Sequence, residues 1–243
     1  MCSSDLKISA FDLRSHKSET LNIESRFDYI TLALSPNGII LLAANEDGEV
    51  HLISLVSKSV LHKLRVNRPV HALQFSPDGK QFAVAKENLV LIYRTPGIQS
   101  KEFSPFGLDR VLKGALDEVT TVKWSSDSKV VALGAKDNTT RLYPVREKYT
   151  NFVSYCLGGH SDPIVATFFE DASLACYTMS RNGQLVHWEC SLEPSQLQKA
   201  EIVEVKKKDD DEEDNIEDEV GNVCSKVKYW KERKVIVLFM YKI

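Results

Sequence analysis

Short apolar runs alternate with turn-forming residues along most of the chain. Up to residue 191, runs rich in Val, Ile, Leu, Thr and aromatic residues are bounded by Gly, Pro, Asn, Asp and Ser, and apolar positions with helical spacing are nearly absent. Runs of this kind are typical of β-strands joined by tight turns. The pattern therefore predicts an all-β protein.

A four-residue turn signal recurs after one strand-like run in each of four segments. The turns begin at residues 35, 76, 125 and 170, so successive turns are 41, 49 and 45 residues apart. The first two turns read Ser-Pro-Asn-Gly and Ser-Pro-Asp-Gly, and the later two read Ser-Ser-Asp-Ser and Glu-Asp-Ala-Ser. Spacing of this kind predicts copies of one structural unit.

A hairpin signal keeps step with the first turn. Asp47-Gly48, Asp137-Asn138 and Asn182-Gly183 suit two-residue turns because these residues tolerate positive φ, and Glu87-Asn88 holds the matching place more weakly. Six residues after each first member comes a large apolar residue: Ile53, Tyr93, Tyr143 and Trp188. Each unit is thus expected to be a four-stranded antiparallel sheet, like the blade of a β-propeller, with the large residues between blades. A sandwich of similar hairpins is the alternative.

The fourth unit resembles the WD-repeat family. Gly159-His160, followed by Asn182 and Trp188-Glu189, is similar to the Gly-His … Trp-Asp pattern of that family, with Asn for the turn Asp and Glu for the final Asp. The resemblance implies that His160 and Trp188 join Thr178 or Ser180 in a buried hydrogen-bonded set. The first three units lack Gly-His, so we expect packing to hold them together.

Longer stretches resemble one member of this family in particular. The similarity keeps its order and spacing over most of residues 8–229, for example at residues 34–38, 56–62, 75–80 and 157–160. That member is longer, with two propellers and a helical region, so the resemblance implies an N-terminal fragment-like chain. The implied fold is an incomplete WD-repeat β-propeller of about four blades in an open arc.

The same resemblance implies a role in ribosome biogenesis. The member belongs to the UTP-B subcomplex of the small-subunit processome, which acts in the nucleolus. The implied function is a scaffold that helps assemble a small nucleolar RNP on pre-rRNA for small-subunit rRNA processing. The implied partners are other UTP-B and processome proteins, small nucleolar RNA and pre-rRNA, with RNA contact either direct or indirect.

The chain is expected to divide into three parts. Residues 6–192 are the partial propeller, residues 193–226 an acidic linker, and residues 227–243 the start of a further strand with a divergent end. Residues 209–219 carry nine acids in eleven positions, and such a block repels itself and is expected to be disordered. The whole chain has a net charge of −3; without this block 25 acids face 31 bases, a net charge of +6. The acidic block is a spacer, a docking tail for basic proteins or a local repellent of nucleic acid.

One basic stretch is the candidate contact with RNA or a protein partner. Lys58, Lys63, Arg65 and Arg68 follow one another with no acid between them. Such a stretch suits phosphates through its charge. The alternative is the solvated face of a strand.

Motifs of catalysis and cofactor binding are absent from the sequence. It has no phosphate-binding loop, no Gly-x-Ser-x-Gly, no His-x-x-x-His and no Cys-x-x-Cys. We therefore predict a non-catalytic protein with no cofactor, metal site or small-molecule substrate. The longest apolar run, residues 235–241, is far short of the about 20 residues that span a membrane, so no membrane contact is expected. A generic adaptor of ubiquitin-ligase or vesicle-coat type, and a truncated chain without independent function, are the alternatives.

Overall fold

The computed structural model describes residues 8–21, 23, 25–95, 106–145 and 154–191, together with the backbone of residues 230–237. Within these ranges the protein is built from β-strands and contains no helix. The prediction of an all-β protein is confirmed.

The strands of the described ranges form one two-stranded and four four-stranded antiparallel sheets. The two-stranded sheet, called the N-terminal ribbon below, consists of β1 (Ile8–Phe11) and β2 (Ser18–Leu21). Sheet 1 consists of β3 (Tyr29–Leu34), β4 (Ile40–Asn45), β5 (Glu49–Ser54) and β6 (Ser59–Arg65). Sheet 2 consists of β7 (Val70–Phe75), β8 (Gln81–Lys86), β9 (Leu89–Arg94) and β10 (Leu108–Leu112). Sheet 3 consists of β11 (Val119–Trp124), β12 (Val130–Ala135), β13 (Thr140–Pro144) and β14 (Tyr155–Leu157). Sheet 4 consists of β15 (Ile164–Phe169), β16 (Cys176–Ser180), β17 (Gln184–Cys190) and β18 (Trp230–Val237).

The turn between the first two strands of sheets 1–3 is fixed by its opening serine. Ser76 Oγ donates to Asp78 Oδ1 at 2.6 Å and accepts the amide of Gln81 at 3.0 Å. Ser35 and Ser125 make the same two contacts in their turns. A side chain that satisfies turn backbone in this way favours the turn over a continuing strand. The recurring Ser-x-Asn/Asp signal in the sequence therefore has a local cause.

Successive sheets pack face to face. The first strands lie side by side, β3 against β7, β7 against β11 and β11 against β15. Apolar clusters fill the space between them: Leu42 and Leu52 of sheet 1, for example, meet Phe75 and Phe82 of sheet 2. Similar clusters join sheet 2 to sheet 3 and sheet 3 to sheet 4. The sheets are the blades of an incomplete β-propeller and form an open arc, as predicted, and the sandwich alternative is not adopted.

The fourth sheet takes its outer strand from beyond the acidic block. The sequence pattern is lost after Tyr229, yet β18 pairs antiparallel with β17, with Gln184 opposite Val237 and Cys190 opposite Trp230. The connection between the two strands contains the acidic block. Residues 192–229 lie outside the described residues. The disorder expected of the acidic block therefore stays a prediction.

Candidate functional site: repeat positions and the basic stretch

A hydrogen-bonded set lies between sheets 3 and 4, with Thr178 at its centre. Trp188 Nε1 donates to Thr178 Oγ1 at 2.8 Å, and His160 Nε2 lies 2.6 Å from the same oxygen. All three residues are buried. The indole can only donate, so Thr178 Oγ1 accepts from Trp188, and the imidazole tautomer decides which of Thr178 Oγ1 and His160 Nε2 donates in the second contact. Burial lowers the pKa of His160, so the ring is neutral in this setting.

Asn182 stands outside this set. Its Oδ1 accepts from Ser180 Oγ at 2.7 Å and from the amide of Gln184 at 3.0 Å, and its Nδ2 donates to Ser161 Oγ at 3.0 Å. Of the two candidates that the sequence left open, Thr178 joins the set and Ser180 serves the turn. Gly159, beside His160, takes a φ of 119° and accepts from Gln184 Nε2 at 3.3 Å.

The hairpin turn of sheet 1 is shaped by a close approach. Gly48 has a φ of 80°, and a Cβ at this position would lie 2.3 Å from the carbonyl oxygen of Arg68. The amide of Val66 donates to the Gly48 carbonyl at 2.8 Å, which ties the hairpin to the chain leaving β6. Asp47 is exposed at the tip of this turn. Gly48 is therefore required by the turn and by its neighbour.

In sheet 3 the corresponding turn is held by a buried carboxylate. Asp137 Oδ2 accepts from Arg141 Nη1 at 2.6 Å and from the amide of Leu116 at 2.9 Å, and its Oδ1 accepts from Thr139. Burial alone would raise the pKa of Asp137, but these hydrogen bonds outweigh it and hold the pKa below its usual value. Asp137 thus joins its hairpin to the loop that enters the sheet.

The four large apolar residues at matching positions are all buried. Tyr93, Tyr143 and Trp188 pack towards the preceding sheet, whereas Ile53 packs towards the N-terminal ribbon. Tyr143 also donates its hydroxyl to the carbonyl of Lys113 at 2.6 Å. These residues therefore fill the spaces between blades.

Three of the four residues in the basic stretch are paired with acids from other strands or turns. Lys58 pairs with Glu19 of β2, Arg65 Nη2 lies 2.5 Å from Glu49 Oε1, and Arg68 Nε lies 3.5 Å from Glu87 Oε1. Lys63 is exposed on β6, opposite His51 in the register. The stretch has no acid along the chain, but the fold brings acids to it. Its contact with RNA or a partner stays a prediction.

A polar network inside sheet 1 was not identified from the sequence. Tyr29 Oη lies 2.7 Å from His51 Nδ1, and His51 Nε2 lies 3.4 Å from Glu49 Oε2. His51 is almost fully buried, and that burial lowers its pKa. The only signal in the sequence is a histidine within an otherwise apolar strand. The network ties β3 to β5 and, through Glu49, to Arg65 of β6.

The described residues were searched for metal sites and membrane spans. No group of three His, Cys, Asp or Glu side chains in these ranges is placed to hold a metal ion. No helix long and apolar enough to cross a membrane occurs there either. Cys156, Cys176 and Cys190 form no disulfide within the described residues, and burial raises the pKa of the Cys176 thiol, which disfavours the reactive thiolate.

Comparison with known proteins defines the class. The family model described as "WD domain, G-beta repeat" matches residues 107–143, which run from the residue before β10 to the penultimate residue of β13. A chain in the crystal structure of the mitotic checkpoint complex has a similar fold, with a TM-score of 0.64 and 14% identity over 76% of this chain and 55% of that one. The four-stranded blades, the hydrogen-bonded His–Thr–Trp set and this match make the chain a WD-repeat β-propeller protein.

The sequence is also similar to particular members of this class. It is 39% identical to the mouse periodic tryptophan protein 2 homolog over 79% of this chain, and 31% identical to periodic tryptophan protein 2 of Saccharomyces cerevisiae over 78%. The Caenorhabditis elegans homolog is 33% identical over 87% of this chain. The chain spans only 21–23% of the length of these relatives. The chain is thus similar to periodic tryptophan protein 2 over about four-fifths of its own length, which confirms the resemblance found in the sequence.

Proposed function

We propose that the protein is a non-catalytic scaffold of ribosome biogenesis, which helps assemble the small-subunit processome on pre-rRNA. The observation that carries this proposal is the agreement with periodic tryptophan protein 2 relatives in mouse and yeast over nearly four-fifths of the chain. The resemblance to a UTP-B component supplies the role in small-subunit rRNA processing. The site of action proposed with it is the nucleolus.

The contacts of the described residues support a role as a rigid scaffold that positions its binding partners. The buried polar groups Thr178, His160 and Asp137 join strands, turns and inter-sheet loops to one another. A rigid array of blades presents its loops and edges at fixed positions, which suits simultaneous contact with several partners. Other UTP-B and processome proteins, small nucleolar RNA and pre-rRNA are the partners in this proposal.

The test is ultraviolet crosslinking and affinity purification of the tagged chain from growing cells. Recovery of small nucleolar RNA, pre-rRNA and UTP-B proteins, above a tagged unrelated WD-repeat protein, is the expected result. Recovery of ubiquitin-ligase or vesicle-coat subunits from the cytoplasm, without those RNAs, would contradict the proposal. It would favour the generic adaptor instead.

Direct contact between RNA and the basic stretch is tested separately. Lys63→Glu reverses an exposed charge on β6, whereas the control Lys80→Glu reverses another exposed charge, on a turn of sheet 2 and 3.9 Å from Asp78. If β6 touches RNA, Lys63→Glu lowers RNA crosslinking while protein recovery and the Lys80→Glu control stay unchanged. Equal crosslinking by both variants and the parent chain would make the RNA contact indirect.

A further inference from the structure

The fourth strand of sheet 1, β6, has one hydrogen-bonding edge that faces outward. The first strands of the four sheets lie side by side, so the fourth strands form the opposite, outer rim of the arc. β6 pairs with β5, and no second strand of the described ranges pairs with its outer edge. An unpaired edge offers free backbone N–H and C=O groups to an added strand.

The register between β5 and β6 decides which backbone groups of β6 point outward. Val66 donates its amide to the Gly48 carbonyl at 2.8 Å. Positions in an antiparallel pair alternate between those that bond their partner and those that do not, so Leu64 also bonds β5, whereas Lys63 and Arg65 do not. The backbone groups of Lys63 and Arg65 therefore point to the outer edge, and each residue supplies one donor and one acceptor there.

The two residues with outward backbone groups both carry positive side chains. Lys63 and Arg65 lie two positions apart, so their side chains share one face of the strand. Both are exposed, and the exposed fraction of the Arg65 side chain is 68%. Arg65 pairs with Glu49, whereas Lys63 contacts no carboxylate in the part of the chain that the structure describes. This edge attracts an acidic strand and repels a basic one, because opposite charges directly across a strand pair stabilise it.

The other end of the same strand is apolar. The register between β5 and β6 shifts between Leu52 and Ile53, which leaves Leu61 as an extra residue on β6. Leu61 is 58% exposed, and Val56 in the adjoining β5–β6 turn is 78% exposed. β6 thus runs from exposed apolar residues to exposed basic residues within one strand.

The outer strands of sheets 2 and 3 lack this combination. β10 has five residues and β14 has three, against seven in β6. The one base of β10, Arg110, has a side chain that is 10% exposed, and its Nε lies 2.9 Å from Asp109 Oδ2. β14 carries no charged residue. Of these three outer strands, β6 alone joins a long free edge to exposed positive charge.

We propose that β6 binds an extended acidic segment of a partner protein, which adds to its outer edge as an antiparallel strand. The backbone of the segment pairs with the outward groups of Lys63 and Arg65, and acidic side chains at alternate positions lie opposite these two residues. Further along the segment, an apolar side chain covers Leu61. From its amino end, the partner segment thus carries an acidic residue, any residue, a second acidic residue, any residue and an apolar residue. The inference rests on the edge and its charge, and it does not depend on the ribosomal role.

The test uses a fluorescein-labelled peptide, Gly-Ser-Glu-Thr-Glu-Thr-Leu-Ser-Gly, which is titrated with the 243-residue chain and followed by fluorescence anisotropy. Saturable binding is expected. N-methylation of the two Glu residues, whose amides face β6, should weaken binding at least about tenfold, because it removes two donors to the edge. The matched control carries its N-methyl groups on the two Thr residues, whose amides face away from β6, and should bind like the parent peptide. A peptide with Lys in place of both Glu residues should bind at least about tenfold more weakly.

Protein variants locate the binding site and separate the role of the backbone from the role of the charge. Lys63→Ala removes only the charge, whereas Lys63→Pro removes the charge and the outward N–H but keeps the bonds to β5. Lys63→Pro is expected to bind the peptide at least about tenfold more weakly than Lys63→Ala. Lys80→Ala, on a turn of sheet 2, should leave binding unchanged.

Melting curves verify that each variant is folded, and the N-methylated peptides decide the question if Lys63→Pro is not. Absence of peptide binding would overturn the proposal. Equal loss of binding in the two Lys63 variants, together with equal binding of the N-methylated peptides, would overturn it as well. That result would describe a site that recognises negative charge alone, as in a contact with RNA.

Discussion

At the scale of single residues, the polar groups buried between blades act as specific ties in an otherwise apolar interface. Thr178 accepts from Trp188 and shares a second hydrogen bond with His160 through the same hydroxyl. A buried donor or acceptor that loses its partner costs about 1–3 kcal/mol, more than the partnered bond contributes. One hydroxyl therefore satisfies the hydrogen-bonding nitrogens of two large buried side chains.

Replacing this hydroxyl tests the tie. Thr178→Val keeps the shape but leaves His160 Nε2 and Trp188 Nε1 without partners, so the free energy of unfolding should fall by about 2 kcal/mol or more. Thr178→Ser keeps the hydroxyl and loses one methyl group, which should cost only about 1 kcal/mol. Urea unfolding followed by tryptophan fluorescence measures both. If both variants lost the same free energy of unfolding, the hydrogen bonds of the hydroxyl would contribute nothing to stability.

The indole itself is the larger packing element. Trp188 is buried against sheet 3 with Leu142 and Leu157. Trp188→Ala should lower the free energy of unfolding by about 3–5 kcal/mol, because it removes the largest side chain of that interface. A loss below about 1 kcal/mol in the same urea experiment would place the ring at the surface.

The buried histidines make stability depend on pH. Burial lowers the pKa of both His51 and His160, so the unfolded chain binds protons that the folded chain does not. This contribution to stability is therefore complete above a pH of about 6.5, the pKa of a histidine in the unfolded chain, and declines as the pH falls below that value. His160→Gln should flatten this decline between pH 7 and 5.5, and His16→Ala, at an exposed position, should not. Unfolding curves at several pH values measure the slope, and identical slopes for parent and His160→Gln would contradict the assignment.

At the scale of strands and turns, sequence signals succeed where the interaction is local. The Ser-x-Asn/Asp turns and the hairpin tips are predicted because one side chain or one φ angle decides them. The ion pairs of Lys58 and Arg68 are not predicted, because their partners come from β2 and from the next hairpin. β18 lies within the further strand expected from residue 227 onward, but its pairing with β17 is not predicted, since a long acidic connection separates the two strands. Only the fold brings these segments together.

Two glycines distinguish the cost of a positive φ angle from the cost of a steric clash with neighbouring backbone. Gly38 and Gly48 both have positive φ, but a Cβ on Gly38 meets nothing within 4 Å, whereas a Cβ on Gly48 meets the backbone of Arg68. Gly38→Ala should cost about 1–2 kcal/mol from the φ angle alone. Gly48→Ala should cost clearly more, because backbone has to move. Thermal and urea unfolding of the two variants makes the comparison, and equal costs would contradict the close approach.

At the scale of the whole molecule, the arc is a series of equivalent interfaces between four sheets, and each of its two end sheets has one neighbouring sheet within the described ranges. Sheets 2 and 3 have neighbours on both faces, whereas sheet 1 has the N-terminal ribbon over half of one face. The periodic spacing of turns predicts the blades and their phase. This spacing does not predict the N-terminal ribbon, because two strands are too few to contain both recurring turns of a blade.

Hydrogen exchange of the first strands is the most direct test of this packing. β3, β7 and β11 are each hydrogen-bonded to one neighbouring strand, so differences between them report on cover by other sheets. The account predicts slow exchange near the global limit in β7 and β11 and faster exchange in β3, whose Leu32 and Leu34 are exposed. Exchange in β7 and β11 as fast as in β3 would contradict the face-to-face packing of successive blades.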